Sequence, residues 1–404
     1  MSAPPDPNTY FRKGFGLKSE VEGALSSDYS GRIVDFLREN DYTLTDGGIT
    51  IRLAREFGFC YGVERAVEYA YQTRQKFPDR SLYLVGEIIH NPHVNDRLRQ
   101  MGVKILERGE SGFDFSRLGA SDVVILPAFG VTIDDFAALR EIGCVLVDTT
   151  CGSVLNVWKR VEAYARDGFT ALIHGKYYHE ETRATASQVR KYPAGHYLVV
   201  RNMEEAKLIC DFIEERATRE AVLERFAPHA VSPGFDPDRD LARIGVANQT
   251  TMLASESLAI ATEVGAAIER ARGVEAKARD FRSFDTICSA TQERQDAVKE
   301  LLAEPLDAMV VIGGFNSSNT ISLTALCAEH VPTYHVESPD GIDPEAGTIH
   351  HRLAGVSHHE ATTERWLPEG QIRVGITAGA STPNSKIGEA VQRILDTRGV
   401  ATRS

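Results

Sequence analysis

Short apolar runs rich in β-branched residues recur along the chain, most of them followed by Gly, Ser, Thr or Asn and then by a stretch with helical spacing of apolar positions. The clearest are SLYLVG, DVVILPAF, CVLVDTT, TALIHG, HYLVV, RIGVANQ, AMVVIGG, TYHVE and IRVGITAG. This alternation predicts an α/β fold with mainly parallel sheets. In such folds ligands gather at the carboxyl ends of strands, so the loops after these runs are where chemistry is expected.

Three segments depart from the pattern. Pro-rich polar sequence at 2–8 leads into KGFGLKSEVEGALSSDYSGRIVDFLRENDYTL, which predicts one or two helices packed before the first strand. APHAVSPGFDPDRD at 227–240 predicts a surface loop or insertion, and a further irregular block covers 338–370. The expected division is an extension at 1–50, then three α/β modules at 51–150, 151–285 (with an insertion near 212–240) and 286–404.

Charge and length narrow the function. The 404 residues carry 45 Lys+Arg against 57 Asp+Glu, a net charge of −12 without a dense basic run. A surface for nucleic acid or anionic lipid is not expected, and an anionic substrate must be held locally. No apolar run approaches the roughly 20 residues that cross a bilayer. The start, MSAPPDPNTYF, lacks the pattern of a secretory signal or transit peptide, so a reducing cytoplasm is the expected compartment.

Six cysteines are too few for a disulfide framework in a chain of this length, which leaves metal or redox chemistry as the question. Three share one setting: GFCYGVERAVEYA around Cys60, DTTCGSVLNVWKRVEAYA around Cys151 and DTICSATQERQDAVKELLA around Cys288, each where an extended segment gives way to a helix. Helix amino termini stabilise thiolates through unpaired N–H groups and the positive end of the dipole. The three are about one α/β unit apart, so three units could each offer one thiolate to a shared centre. Three thiolates without a fourth suit an iron–sulfur cluster with one iron left open. Structural zinc competes less well, because its close Cys pairs are absent. Cys144, Cys210 and Cys327 lie within apolar patterns and are expected in the core.

Groups for an anion stand in two loops. GGFNSSNTISLTALC places Asn316, Ser317, Ser318, Asn319 and Thr320 between a strand and a helix, and AGASTPNSKIGEAV repeats the arrangement with Ser381 and Thr382. Backbone N–H groups with hydroxyl and amide donors make a neutral phosphate cradle, with ordinary N-capping as the alternative use of the same residues. EIIHNPHVN adds His90, and IHGKYYHEETRAT adds His179 with Glu180 and Glu181. A His can donate to a phosphate oxygen, and a Glu in a closed pocket can pass a proton. The cluster His350, His351, His358 and His359 looks metal-like but lies in an irregular region, and no ligand role is expected of it.

Taken in order, GFCYGVERAV, EIIHN, DTTC, HEET, NQTT, DTICSATQERQDAV, NSSN and TAGAST, spanning 51–390, resemble the 4-hydroxy-3-methylbut-2-enyl diphosphate reductases of the methylerythritol phosphate route to isoprenoids. The YFRKGFGLKSEV extension and AVSPGFDPDRDL insertion resemble the longer cyanobacterial and plastid branch. The resemblance implies three α/β modules around a central cleft and a 4Fe-4S cluster with three Cys ligands, Cys60, Cys151 and Cys288. It implies that Glu181 relays protons and that Thr250 orders the substrate hydroxyl. It also implies that His90, His179, Ser317, Ser318, Asn319 and Ser381 bind diphosphate. One position departs: many bacterial members carry His where LPAFGVT has Phe129, and no family role transfers to that residue. The implied reaction is reductive dehydroxylation of an allylic diphosphate to isopentenyl and dimethylallyl diphosphates. It needs a carrier such as ferredoxin or flavodoxin, since no flavin or nicotinamide motif is present. A non-redox hydro-lyase and a non-enzymatic redox sensor are the rival uses of the same cluster.

Overall fold

The apolar runs form strands, and most are buried on both faces: Val123–Leu126, Val145–Asp148, Thr170–His174, Ile244–Asn248 and Ala308–Ile312 are buried throughout. Parallel strands sandwiched between helices have this signature. The computed structural model describes residues 9–110, 112–354 and 359–399. Its chain divides into two compact units, Met1–Tyr10 with Leu106–Cys288, and Phe11–Ile105 with Ser289–Ser404.

The first unit contains a four-stranded parallel sheet in the order Tyr197–Val200, Thr170–His174, Ile244–Asn248, Phe281–Ser283. Its register pairs His174 with Asn248, so the loops after these two strands leave from the same edge. Helices Gly152–Arg166, Met203–Ile213 and Ala254–Arg272 supply apolar side chains to the core around the sheet, including Val161, Ile209 and Ile260. Val123–Leu126 and Val145–Asp148 form a second parallel pair. The 227–240 segment is irregular, as expected, apart from a short helix at Pro237–Asp240. It is not a loose surface insertion, because Ala230, Val231 and Phe235 join the core. The backbone explains why: Val199 N–H donates to Ala230 O and Ser232 N–H to Tyr197 O, so the segment covers the exposed side of a sheet strand.

The second unit is built on a mixed sheet in the order Ile342–Asp343, Thr348–Arg352, Thr333–Val336, Ala308–Ile312, Ile372–Ala378, Ile49–Leu53, Thr43–Asp46. The central strands are parallel and the flanking ones antiparallel. Ile49–Leu53, absent from the strand-like runs above, alternates buried and half-buried positions and pairs with Ile372–Ala378 from the far end of the sequence. The sheet carrying the strands of 286–404 thus also takes in residues 43–53.

The extension forms two helices, Lys18–Tyr29 and Arg32–Glu39. Asp28 accepts from Tyr71 Oη at 2.6 Å and from Arg97 Nε at 2.8 Å, which fastens the first helix to Tyr61–Lys76, the helix that begins after Cys60, and to Pro92–Gln100. The 338–370 block is more regular than expected. Thr348–Arg352 pairs antiparallel with Glu360–Glu364, and on that ribbon His350 Nε2 meets Glu360 and His351 Nε2 meets Thr363. His358 lies outside the described residues.

Candidate active site

Sheet order brings together residues that the sequence keeps far apart. In the first unit, the adjacent strands Thr170–His174, Ile244–Asn248 and Phe281–Ser283 lead at their carboxyl ends to Glu181, Thr250 and Cys288 respectively. Two hydrogen bonds connect the three residues: Thr250 N–H donates to Glu181 Oε1 at 2.6 Å, and Cys288 N–H donates to Thr250 O at 3.2 Å. Glu181 and Thr250 are almost wholly buried, with 2% and 4% of their surface exposed. A carboxyl with one oxygen held by an amide keeps a single orientation, as proton delivery to a defined atom requires.

His179 is the N-cap of Glu180–Ser187, and its Nδ1 accepts from Glu181 N–H at 3.1 Å. An amide can only donate, so Nδ1 is unprotonated and the neutral ring carries its proton on Nε2. Phe129 stands edge-on to this imidazole, with ring centroids 5.5 Å apart and planes at 83°. Cys151 begins Gly152–Arg166, and its N–H donates to Ala128 O at 2.9 Å. The turn before it is tied down by Asp148, whose Oδ1 accepts from both Thr150 N–H and Thr150 Oγ1 and whose Oδ2 accepts from Tyr10 Oη.

In the second unit, Ile49–Leu53, Ile372–Ala378 and Ala308–Ile312 are adjacent, and their carboxyl ends lead to Cys60, Ser381 and the Ser317–Asn319 loop. Cys60 N–H donates to Ala380 O at 3.1 Å, and Ala380 N–H donates to Asn319 Oδ1 at 2.9 Å. Ser381 Oγ donates to His90 O at 3.1 Å, and His90 Nδ1 donates to the Glu87 carboxylate at 2.7 Å. Cys60, His90, Asn319 and Ser381 are therefore neighbours within this unit, together with Ser317 and Ser318 at the start of Ser318–Ala328. Apart from half-buried Cys60, all of these are buried. Ser317 Oγ caps that helix by accepting from Thr320 N–H at 3.3 Å, so capping and a donor-lined cradle coexist in one loop.

The same loop is propped from behind by residues that the motifs do not mark. Burial pushes the His335 imidazole down to about 4, and its Nε2–H donates to Gly313 O at 2.9 Å. Glu337 accepts from Phe315 N–H, and Arg352 donates to Phe315 O. Gly314 meets His90 directly: a Cβ on residue 314 would lie 2.5 Å from His90 O, a backbone atom that cannot swing aside. Gly314→Ala should therefore separate His90 from the Ser317–Asn319 loop. We expect KM to rise about tenfold with a smaller loss of kcat, because the side chains themselves are untouched. An unchanged KM in steady-state assays would show that this approach is not needed.

The donor set sorts the six cysteines. None is in a disulfide among the described residues. Burial pushes the thiol of Cys144 up to about 11 and those of Cys210 and Cys327 up to about 12, which suits neutral core residues. Cys60, Cys151 and Cys288 are only partly buried. Cys60 and Cys151 are helix N-caps, and Cys288 immediately precedes Ser289–Leu302. These three therefore stand where a thiolate, the form a soft metal takes, is favoured. Glu87, Asp148 and Tyr10 were missed as supporting residues. All three stand inside quoted segments, but nothing local marks their partners.

No helix among the described residues is long and apolar enough to cross a membrane. The profile of the LytB protein family matches residues 51–395. The 4-hydroxy-3-methylbut-2-enyl diphosphate reductase of Gloeobacter violaceus is 49% identical over 396 residues, covering 97% of this chain and 93% of the relative. The protein of that name from Thermosynechococcus vestitus is 48% identical over 400 residues, covering 98% and 96%. A solved (E)-4-hydroxy-3-methyl-but-2-enyl diphosphate reductase, described as the terminal enzyme of the non-mevalonate pathway, superposes with a TM-score of 0.51 at 28% identity, covering 86% of this chain and 99% of that one. The fold is also that of the reductase from Plasmodium falciparum, with a TM-score of 0.61 at 19% identity, covering 85% and 87%. With its motifs, its fold and nearly its whole length matched, this chain belongs to the LytB protein family.

Proposed function

We propose that this chain is a 4-hydroxy-3-methylbut-2-enyl diphosphate reductase, which removes the allylic hydroxyl as water and yields isopentenyl and dimethylallyl diphosphates. The observation that carries the reading is the pair of hydrogen bonds from the buried Glu181 carboxyl through the Thr250 backbone to the Cys288 amide, which places a proton-carrying group near a cysteine that would ligate the metal. Cys60, Cys151 and Cys288 would hold a 4Fe-4S cluster, and three soft donors at helix starts fit such a group. When bound, the cluster supplies single electrons and an iron that acts as a Lewis acid.

The protein's own residues do the rest. His90, His179, Ser317, Ser318, Asn319 and Ser381 supply donors for the diphosphate, which a chain of net charge −12 cannot attract by long-range charge. The His179 Nε2–H is its ring's donor, and Glu87 fixes the ring of His90. The Thr250 hydroxyl orients the substrate hydroxyl, and Glu181 hands over the proton that turns it into a leaving water. Burial of these groups keeps bulk water from the reacting allyl carbons.

The reaction consumes two electrons and two protons, one proton leaving with the hydroxyl as water and one ending on an allyl carbon, and a small one-electron protein such as ferredoxin or flavodoxin is the proposed donor, in the cytoplasm. The test is anaerobic purification with iron and sulfide analysis and Mössbauer spectra with and without substrate, followed by turnover with and without a reduced donor. A unique iron that responds to substrate, and turnover only with reductant, is the expected result. Turnover without reductant would make the protein a hydro-lyase, and a cluster indifferent to substrate would make it a sensor.

A further inference from the structure

We propose that Thr286 is a positioning residue for the cluster: its hydroxyl laces the segment leading to Cys288 onto the end of Ile244–Asn248 and so fixes the backbone that presents this thiol. The inference rests on the assignment of Cys288 as a cluster ligand.

The strand Phe281–Ser283 runs parallel to Ile244–Asn248, with Ser283 opposite Val246. The regular ladder stops before Cys288 is reached, yet the chain stays on the same neighbour. Phe284 N–H donates to Val246 O at 3.4 Å, and Cys288 N–H donates to Thr250 O at 3.2 Å. Between these two rungs the link is a side chain. Thr286 Oγ1 accepts from Asn248 N–H at 2.7 Å and donates to Asn248 O at 3.0 Å, so one hydroxyl uses both its capacities on one residue. Positions 284, 286 and 288 thus meet 246, 248 and 250, the spacing of an extended strand carried on past the end of the sheet.

The neighbours of Thr286 show why the hydroxyl matters. Asp285 Oδ1 accepts from Ile287 N–H at 3.0 Å, a local turn that shapes the backbone on either side of residue 286 but makes no bond to the strand. Asn248 is 2% exposed, and removing the Thr286 oxygen takes away the acceptor that its buried N–H uses. The chain entering Cys288 would then be free to shift. Contacts that orient a metal ligand from behind are typically worth about 10–100-fold in metal affinity, which is the scale expected of this one.

The test follows iron release from anaerobic, cluster-loaded protein to a chelator such as bathophenanthroline, with EPR spectra of the reduced cluster. Thr286→Val, which keeps the shape and removes the hydroxyl, should release iron at least about tenfold faster and split the EPR signal into more than one species. Thr286→Ser, which keeps the hydroxyl, should match wild type in both. Thr286→Ala runs through the same assays should Thr286→Val fail to fold. Val222→Ala opens a cavity in the core of the same unit and serves as the control for general loosening. Compared at equal intervals below their own Tm, it should keep the wild-type release rate and signal. Equal release from Thr286→Val and Val222→Ala, or Thr286→Ser behaving as Thr286→Val, would overturn the proposal. So would wild-type release from Thr286→Val alongside iron loss from Cys288→Ser, and that pattern would leave the cluster assignment standing. Full iron retention in Cys288→Ser would instead remove Cys288 from the ligands and the proposal with it.

Discussion

Glu181→Gln should lower kcat by at least about 100-fold, within the range that positioned general acids contribute, while diphosphate affinity and iron content stay at wild-type values. The geometry makes this substitution informative. Gln keeps an Oε1 that can accept the Thr250 N–H, so the 2.6 Å contact and the orientation of the side chain survive. Only the capacity to carry a proton is lost. A 100-fold fall corresponds to about 3 kcal/mol of transition-state stabilisation, too much for a side chain that merely fills space isosterically. Thr250→Val is the natural companion. Because Glu181 is held by the backbone N–H of residue 250, Val leaves the carboxyl in place, and any loss reports the hydroxyl alone. Single-turnover rates at saturating substrate, with iron quantified in the same samples, decide the matter; near-normal turnover for Glu181→Gln would take this residue out of the reaction.

Serine at Cys60, Cys151 or Cys288 should strip most of the iron and abolish turnover, whereas serine at Cys144, Cys210 or Cys327 should leave iron content intact and lower stability. The first group sits at helix starts, where a thiolate is stabilised and a hydroxyl is a poor soft-metal ligand. The second group is held in the thiol form by burial, and a hydroxyl placed there costs about 1–3 kcal/mol when it lacks a partner. Cys144 should be the mildest of these, since its Sγ already donates to Leu139 O and serine can take over that bond. Iron and sulfide per chain, with Tm recorded in parallel, separate the two groups. Iron loss from Cys144→Ser equal to that from Cys151→Ser would undo the division.

Much of this was legible in the chain itself. The nine apolar runs are strands, and the three repeated cysteine settings are helix starts. Both rest on local physics, namely burial of β-branched segments on two faces and the change from extended to helical backbone. The misses share one cause. Ile49–Leu53 is short and carries Arg52, and its place in the sheet depends on pairing with Ile372–Ala378, which no window around residue 50 contains. The 227–240 segment has loop composition, yet a few backbone hydrogen bonds to residues 197–199 draw its Val and Phe side chains into the core.

By itself the sequence determined the α/β grammar, the sorting of cysteines into helix-start and core positions, and the family through the order of its motifs. Tertiary structure alone decided which loops are neighbours: that Glu181 reaches Thr250, that Thr250 touches Cys288, that Ser381 leans on His90, and that Phe129 stands edge-on to His179. The reason is that residue spacing encodes local backbone form, whereas adjacency at a site is set by strand order in a sheet. That order is fixed by hydrogen bonds between segments as remote as Ile49–Leu53 and Ile372–Ala378.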